Sequence, residues 1–177
     1  MTEQPVPPPP NPATPGVPRP GELLDRFLAR FIDGILLGIV FAIVQAIFVG
    51  IFISGTTQVG EYLIAWFFIS VITVVVSIGY FAFLESSNGA TVGKMLLKLR
   101  VVGPDGASNP TMEQAIRRNA FYAIQLAYIV PLVGWIFGPI AMLAAVIMIA
   151  VTINNDTVNR QGWHDRFAGG TRVLKIG

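Results

Sequence analysis

The stretch Arg26–Asp33, RFLARFID, runs without a break into Gly34–Ser54, GILLGIVFAIVQAIFVGIFIS. The second part holds 21 residues and no charge. A bilayer core of roughly 30 Å needs about 20 helical residues, so this run has the length of one membrane crossing. The first part places two arginines and an aspartate at the threshold of lipid. Each helical residue advances about 100°, so Arg26 and Asp33 fall within about 20° of one face, with Arg30 about 60° from Asp33. The three line one stripe. A carboxylate in hydrocarbon costs about 2.5–3.5 kcal/mol on insertion scales. Asp33 therefore calls for a partner, and an arginine of the stripe is the expected one. Two readings stand side by side. The stripe anchors and packs the helix, or Asp33 is a cation or proton site.

Outward from this stretch the pattern repeats. Tyr62–Leu84 is a second charge-free run, of 23 residues, after the short polar turn SGTTQVGE. A long polar interval follows from Glu85 to Asn119. Its MLLKLRVV alternates partly and GPDG signals a turn, so a short cytoplasmic β-like hairpin or interfacial segment is expected there. Thr111 is a candidate N-cap, with Glu113 one residue too early for a capping box. Asn119–Asn155 is again uncharged over 37 residues. As one helix it would be about 55 Å long, nearly twice the bilayer core. Pro131 and Gly134 divide it, predicting helices over Met112–Val130 and Gly134–Ile153. A re-entrant hairpin is the competing form.

Composition agrees with a membrane chain. Only 12% of the residues are charged and 53% are hydrophobic, with a mean hydropathy of +0.64; soluble domains carry about 25% charged residues. There is no cysteine and one histidine, His164. Disulfides, thiol chemistry and a multi-histidine metal site within one chain are excluded. No cofactor is expected, and a net charge of +2 points to no nucleic-acid partner. Residues 1–20 hold nine of the 13 prolines and read as a disordered cytoplasmic tail. The membrane domain is assigned to residues 21–177.

All 12 lysines and arginines lie before the first run, between the second and third, or after the last. The positive-inside rule then places both termini and the middle loop in the cytoplasm, which requires an even number of crossings. The expected fold is an all-α bundle of about four transmembrane helices, two plus a helical hairpin, in the inner membrane.

RFLARFID resembles the opening signature of the RDD family of bacterial membrane proteins, named for one arginine and two aspartates. ESSNGATVGKMLLKLRVVGPDG resembles the family's T-x-G-K segment, here Thr91, Gly93 and Lys94. RQGWHDRFAGGTRVLK resembles its closing segment. The resemblance covers roughly residues 22–175. It implies that Arg26, Asp33 and Asp165 are the signature residues, with Arg30 competing for the first place. It also implies a role in transport of ions or other ligands. Since Asp165 lies on the same side as Arg26, a long-range pair of Arg26 with Asp165 or Asp33 is expected.

Other motifs weigh less. GATVGK lacks the spacing and hydroxyl of a phosphate-binding loop. GILLG and GWIFG are GxxxG patterns that serve intramolecular packing or a dimer face. Gln45, Thr73, Ser77, Asn119 and Gln125 are expected to hydrogen-bond between helices. Glu85 is a second membrane-edge carboxylate or a solvated helix end. His164 beside Asp165 lacks the nucleophile an enzyme would need, so no enzyme is expected. The function classes carried forward are a small cation, proton or solute transporter, and a scaffold or regulatory partner of another membrane complex. The bilayer, a second copy of the chain or another membrane protein are the expected partners.

Overall fold

In lipid, a run of this length satisfies its backbone only as a helix or within a closed barrel, and the chain forms helices. The structure is a computed structural model, and it describes residues 18–53 and 59–177. Strand β1 is Arg19–Pro20. Helix α1, Leu23–Phe48, ends in a π-helical turn, Val49–Ile53. Helix α2 is Val59–Asn88, and the short α3, Val92–Leu96, leads into strand β2, Leu99–Val102. Helix α4, Met112–Asn119, continues as a 3-10 helix over Ala120–Ile129. Helix α5 is Pro131–Asn155; α6, Trp163–Phe167, and strand β3, Arg172–Lys175, close the chain.

Among the described residues three helical stretches, Leu23–Ile51, Val59–Asn88 and Leu132–Asn155, are long and apolar enough to cross a membrane. Their large apolar side chains, among them Ile39, Ile43, Phe83 and Ile140, point outward. The expected third helix, Met112–Val130, takes another form: one charged α-helical part and one 3-10 part. A 3-10 run of ten residues is unusually long, and its rise of about 2.0 Å per residue stretches it to about 20 Å. The breakers act as expected. Pro131 begins α5 at its first turn, where its missing N–H costs nothing. A Cβ on Gly134 would sit 2.3 Å from the Ala127 carbonyl oxygen, so only glycine lets the two arms of the hairpin approach.

Two local expectations are corrected. Gln114, not Glu113, occupies the third helical position of α4. Its side chain accepts from the Thr111 N–H at 2.9 Å while Thr111 Oγ1 accepts from the Gln114 N–H at 3.2 Å, a complete capping box. MLLKLRVV forms no local hairpin. Its first two residues end α3 and its last four form the expected β-segment as β2, which pairs with the distant β3, Val101 opposite Val173, in a sheet ordered β1-β3-β2.

The proline-rich tail lies outside the described residues for 1–17. Its last two residues, expected to be disordered, form β1 against Leu174 and Lys175. The three strands therefore come from before α1, after α2 and after α5. The sheet gathers those helix ends at one end of the molecule. The tightest apolar packing is there, with Ala29, Leu99, Val101 and Val173 all buried.

Of the GxxxG pairs, Gly134 and Gly138 serve the hairpin, Gly138 lying against the Tyr128 ring; Cβ atoms on Gly34 and Gly38 would meet nothing. Gly134→Ala is expected to lower stability by about 1–3 kcal/mol through overpacking, whereas Gly34→Ala leaves it equal or raises it by up to about 1 kcal/mol. Thermal unfolding in detergent compares them.

Candidate functional site

The sheet end of the molecule buries charge. Asp33, Glu85 and Asp165 are each 0% exposed, and Lys94, Arg118 and Arg26 lie between 2% and 6%. Ionised groups this deep survive only when each is paired and hydrogen-bonded, and the structure supplies the partners from five helices.

Asp33 is held by neutral donors. Thr91 Oγ1 donates at 2.6 Å, Tyr80 OH at 2.8 Å and the Gly93 N–H at 2.8 Å. Neither arginine of its own stripe is among these partners, contrary to the expectation from the helical face. The physical reason is the seating of α3. A Cβ on Gly93 would stand 2.1 Å from the Ala29 carbonyl oxygen, so glycine alone lets α3 rest on the α1 backbone. The Gly93 N–H then points at the Asp33 carboxylate. The T-x-G-K segment thus has a physical meaning: Thr91 caps α3 and donates to Asp33, Gly93 permits contact, and Lys94 turns inward.

Glu85, at the end of α2, is no solvated helix end. It accepts from Lys94 Nζ, from Arg118 Nη1 at 3.1 Å and from Asn119 Nδ2 at 3.2 Å, with Arg30 Nη2 at 3.7 Å. Arg30 also donates to Asn119 Oδ1 at 2.6 Å and stacks 3.9 Å over the Phe81 ring centre, a favourable place for a cation.

Asp165 accepts from Arg26 Nη1 at 3.0 Å, from Arg118 Nε at 2.7 Å and from the Gly162 N–H at 3.0 Å. Arg26 Nε donates to the Gly21 carbonyl at 3.0 Å, tying the strand end as well. Arg118 bridges Asp165 and Glu85. One unbroken chain of ion pairs therefore runs Arg26–Asp165–Arg118–Glu85–Lys94.

The electrostatics of the groups beyond the spanning helices follow from this packing. Burial pushes Lys94 down to about 7, against the pull of Glu85. Burial pushes His164 down to about 3, so at neutral pH it is uncharged. Burial would raise Asp165, but the guanidiniums of Arg118 and Arg26 and the Gly162 N–H hold it well below the usual carboxylate range.

Four cations, Arg26, Arg30, Lys94 and Arg118, face three carboxylates, Asp33, Glu85 and Asp165. With all ionised the cluster carries one excess positive charge, which is lost as Lys94 deprotonates. The cluster opens onto a cleft of about 620 Å³ between α1, the 3-10 helix and α5, reached by Arg26, Arg30, Lys94, Arg118, Gln125 and His164. Arg26 Nη2, Arg30 Nη1 and His164 Nδ1 are buried and have no hydrogen-bond partner. Among the described residues no group of three or more His, Cys, Asp or Glu side chains is placed to hold a metal ion.

The structure thus gathers all eight residues singled out from the sequence: Arg26, Arg30, Asp33, Glu85, Thr91, Gly93, Lys94 and Asp165. Sequence reasoning missed Arg118 and Tyr80. A signal for Arg118 existed. Arg117-Arg118-Asn119 stands at the threshold of an apolar run as RFLARFID does, and Arg118 and Asn119 of the three are buried.

The RDD family model matches residues 20–169 of the chain. No curated protein and no solved structure matches it. The chain belongs to the RDD family, and its apolar helices make it an integral membrane protein.

Removing either member of the Arg26–Asp165 pair leaves a buried charge. Arg26→Ala and Asp165→Ala are each expected to cost roughly 3–5 kcal/mol, and the double variant less than their sum. Unfolding in detergent measures the coupling; strict additivity would deny it. Lys94 sets a pH dependence. Its folded value of about 7 lies below its ordinary 10.5. Between the two the unfolded chain holds more protons, so stability rises with pH through that window. Faced by Glu85, Arg30 and Arg118, it is the group to change. Lys94→Met is expected to flatten the rise in melting temperature between about pH 7 and 10.

Proposed function

We propose that this RDD protein is a small proton-linked transporter of an anionic solute, not an enzyme, lying in the inner membrane with four crossings and both ends cytoplasmic. The observation that carries the reading is the cleft that opens onto a charge cluster with unpartnered guanidinium nitrogens. An anion there would complete the hydrogen bonding of Arg26 and Arg30 and favour the charged form of Lys94. Binding and proton uptake are then linked.

The topology has its own support. β1, β2 and β3 share one sheet, so the chain returns to the same side after α2 and again after α5. The 3-10 helix and α5 form the second excursion. Ile129 and Val130 at its tip lie beside Leu63 and Phe67, roughly 27–33 Å along α2 from Glu85 at 1.5 Å per residue. That depth favours a full fourth crossing over a shallow re-entrant loop. The distribution of lysine and arginine favours the cytoplasm for the sheet end.

The geometry supports the anion over the cation. Glu85 and Asp165 are occupied by cations of the chain itself, and Asp33 accepts three hydrogen bonds. The scaffold alternative rests on the proline tail and on the basic middle loop, where Lys98 is exposed. The tail lies mostly outside the described residues, and Lys94 faces Glu85.

Proteoliposomes with an enclosed pH-sensitive dye test the reading. A pH change on adding potassium phosphate or potassium acetate but not potassium chloride, reduced at least about tenfold, or 1.4 kcal/mol, by Lys94→Met, is the expected result. A response to sodium, lithium or potassium chloride that Asp33→Asn abolishes would return the reading to cation exchange. Silence with every salt would overturn transport of these ions.

A further inference from the structure

The cleft is more apolar than a site for a small hydrated anion needs to be. Below its charged floor it is walled by Phe27, Phe31 and Ile35 on α1 and by Met142, Val146 and Ile149 on α5. These walls run about 10–12 Å along each helix at 1.5 Å per residue. Phe27, Phe31 and Ile35 are more than half exposed, so the cleft opens sideways, toward the space the bilayer fills. Gly34 widens it, since a Cβ there would meet nothing within 4 Å. At its charged end Arg26 is 6% exposed and its Nη2 lacks a partner.

A polar group buried without a partner is costly. An apolar channel leading from that group into the bilayer calls for an occupant that is charged at one end and apolar along its length.

We propose that the cleft between α1 and α5 binds an anionic membrane lipid, its phosphate against Arg26 and Arg30 and one acyl chain laid along the apolar walls. This rests on the anion reading above and names the class of ligand. Charge complementarity selects the headgroup: four cations against three carboxylates leave room for one negative charge. The apolar length selects the tail by packing contact, since an acyl chain passing from the leaflet into the cleft exchanges one apolar surrounding for another. The lipid enters sideways from the leaflet at the sheet end, without leaving the membrane. Lys94 links the site to pH: as it loses its proton, the excess positive charge goes, and the lipid is held less tightly.

The test uses the full chain, purified in neutral detergent, with bound lipid counted by native mass spectrometry during titration. Phosphatidylglycerol, phosphatidylcholine and inorganic phosphate are the probes. Phosphatidylglycerol is expected to bind at least about tenfold more tightly than either of the others. Gly34→Phe fills the apolar part without touching the charge cluster, and is expected to weaken phosphatidylglycerol about tenfold. Arg26→Lys keeps a charge opposite Asp165 but removes the free Nη2, and a loss of about threefold or more is expected, the equivalent of roughly 0.7 kcal/mol.

Equal binding of phosphatidylcholine would overturn the selection for charge. Equal binding of phosphate, indifferent to Gly34→Phe, would overturn the lipid and leave the anion site standing. Failure of both phosphatidylglycerol and phosphate to bind would overturn the lipid and the anion reading together.

Discussion

Arg118 holds the molecule together by standing between two buried carboxylates. Asp165 and Glu85 come from distant parts of the sequence and are wholly removed from solvent. Burying either alone would cost several kcal/mol. Arg118 offsets both at once, with Nε on Asp165 and Nη1 on Glu85. Its planar fork suits this better than an ammonium would. Each partner then recruits a further cation, Arg26 for Asp165 and Lys94 for Glu85. The cluster is therefore mutually dependent. Such a network specifies one arrangement of α1, α2, α4 and α6 where apolar contacts between lipid-facing helices would allow several.

The sheet performs the same task through the backbone. β3 lies between β1 and β2, so the last strand of the chain joins the segments that precede α1 and follow α2. Arg26 reinforces this through Gly21, whose N–H also donates to Val173. Lys175 adds a pair with Asp25. Charge cluster and sheet meet at the first turns of α1, where Arg26, Ala29 and Asp33 are all buried. That end of the molecule is densely packed, while the far ends of the helices are dressed almost entirely in outward apolar side chains. A rigid, polar end joined to a lipid-solvated bundle suits binding at the boundary between membrane and water. The cleft sits where the charged end meets the apolar helices.

Much of this was legible from residue order alone. Uninterrupted apolar runs near 20 residues have few physical solutions, and the helices follow. Pro131 breaks the third run because it lacks an N–H, and Gly134, inside the helix that follows, lets the two arms approach because it lacks a Cβ. RFLARFID was legible as a problem, since charge at the edge of lipid demands a partner. Its opening arginine and the distant Asp165 were suggested as a pair by their shared side and by resemblance.

Other features were not legible, for definite reasons. A helical wheel places Asp33 beside its own arginines, but it knows nothing of α3. Only the close seating of Gly93 on Ala29 brings the Thr91 hydroxyl and a backbone N–H to that carboxylate. The alternation in LRVV signals a strand without naming its partner, because strand pairing is a long-range choice and β3 lies some seventy residues away in the chain. Nor does a count of charges show which face inward. Arg117 and Arg118 are neighbours, yet Arg117 lies on the exposed face with Glu113 while Arg118 is buried at the centre of the cluster. The sequence by itself determined that the chain enters the membrane, where it does so, and which charges need partners. The tertiary structure alone decided who those partners are, because helices far apart in the chain must pack before their polar groups can meet.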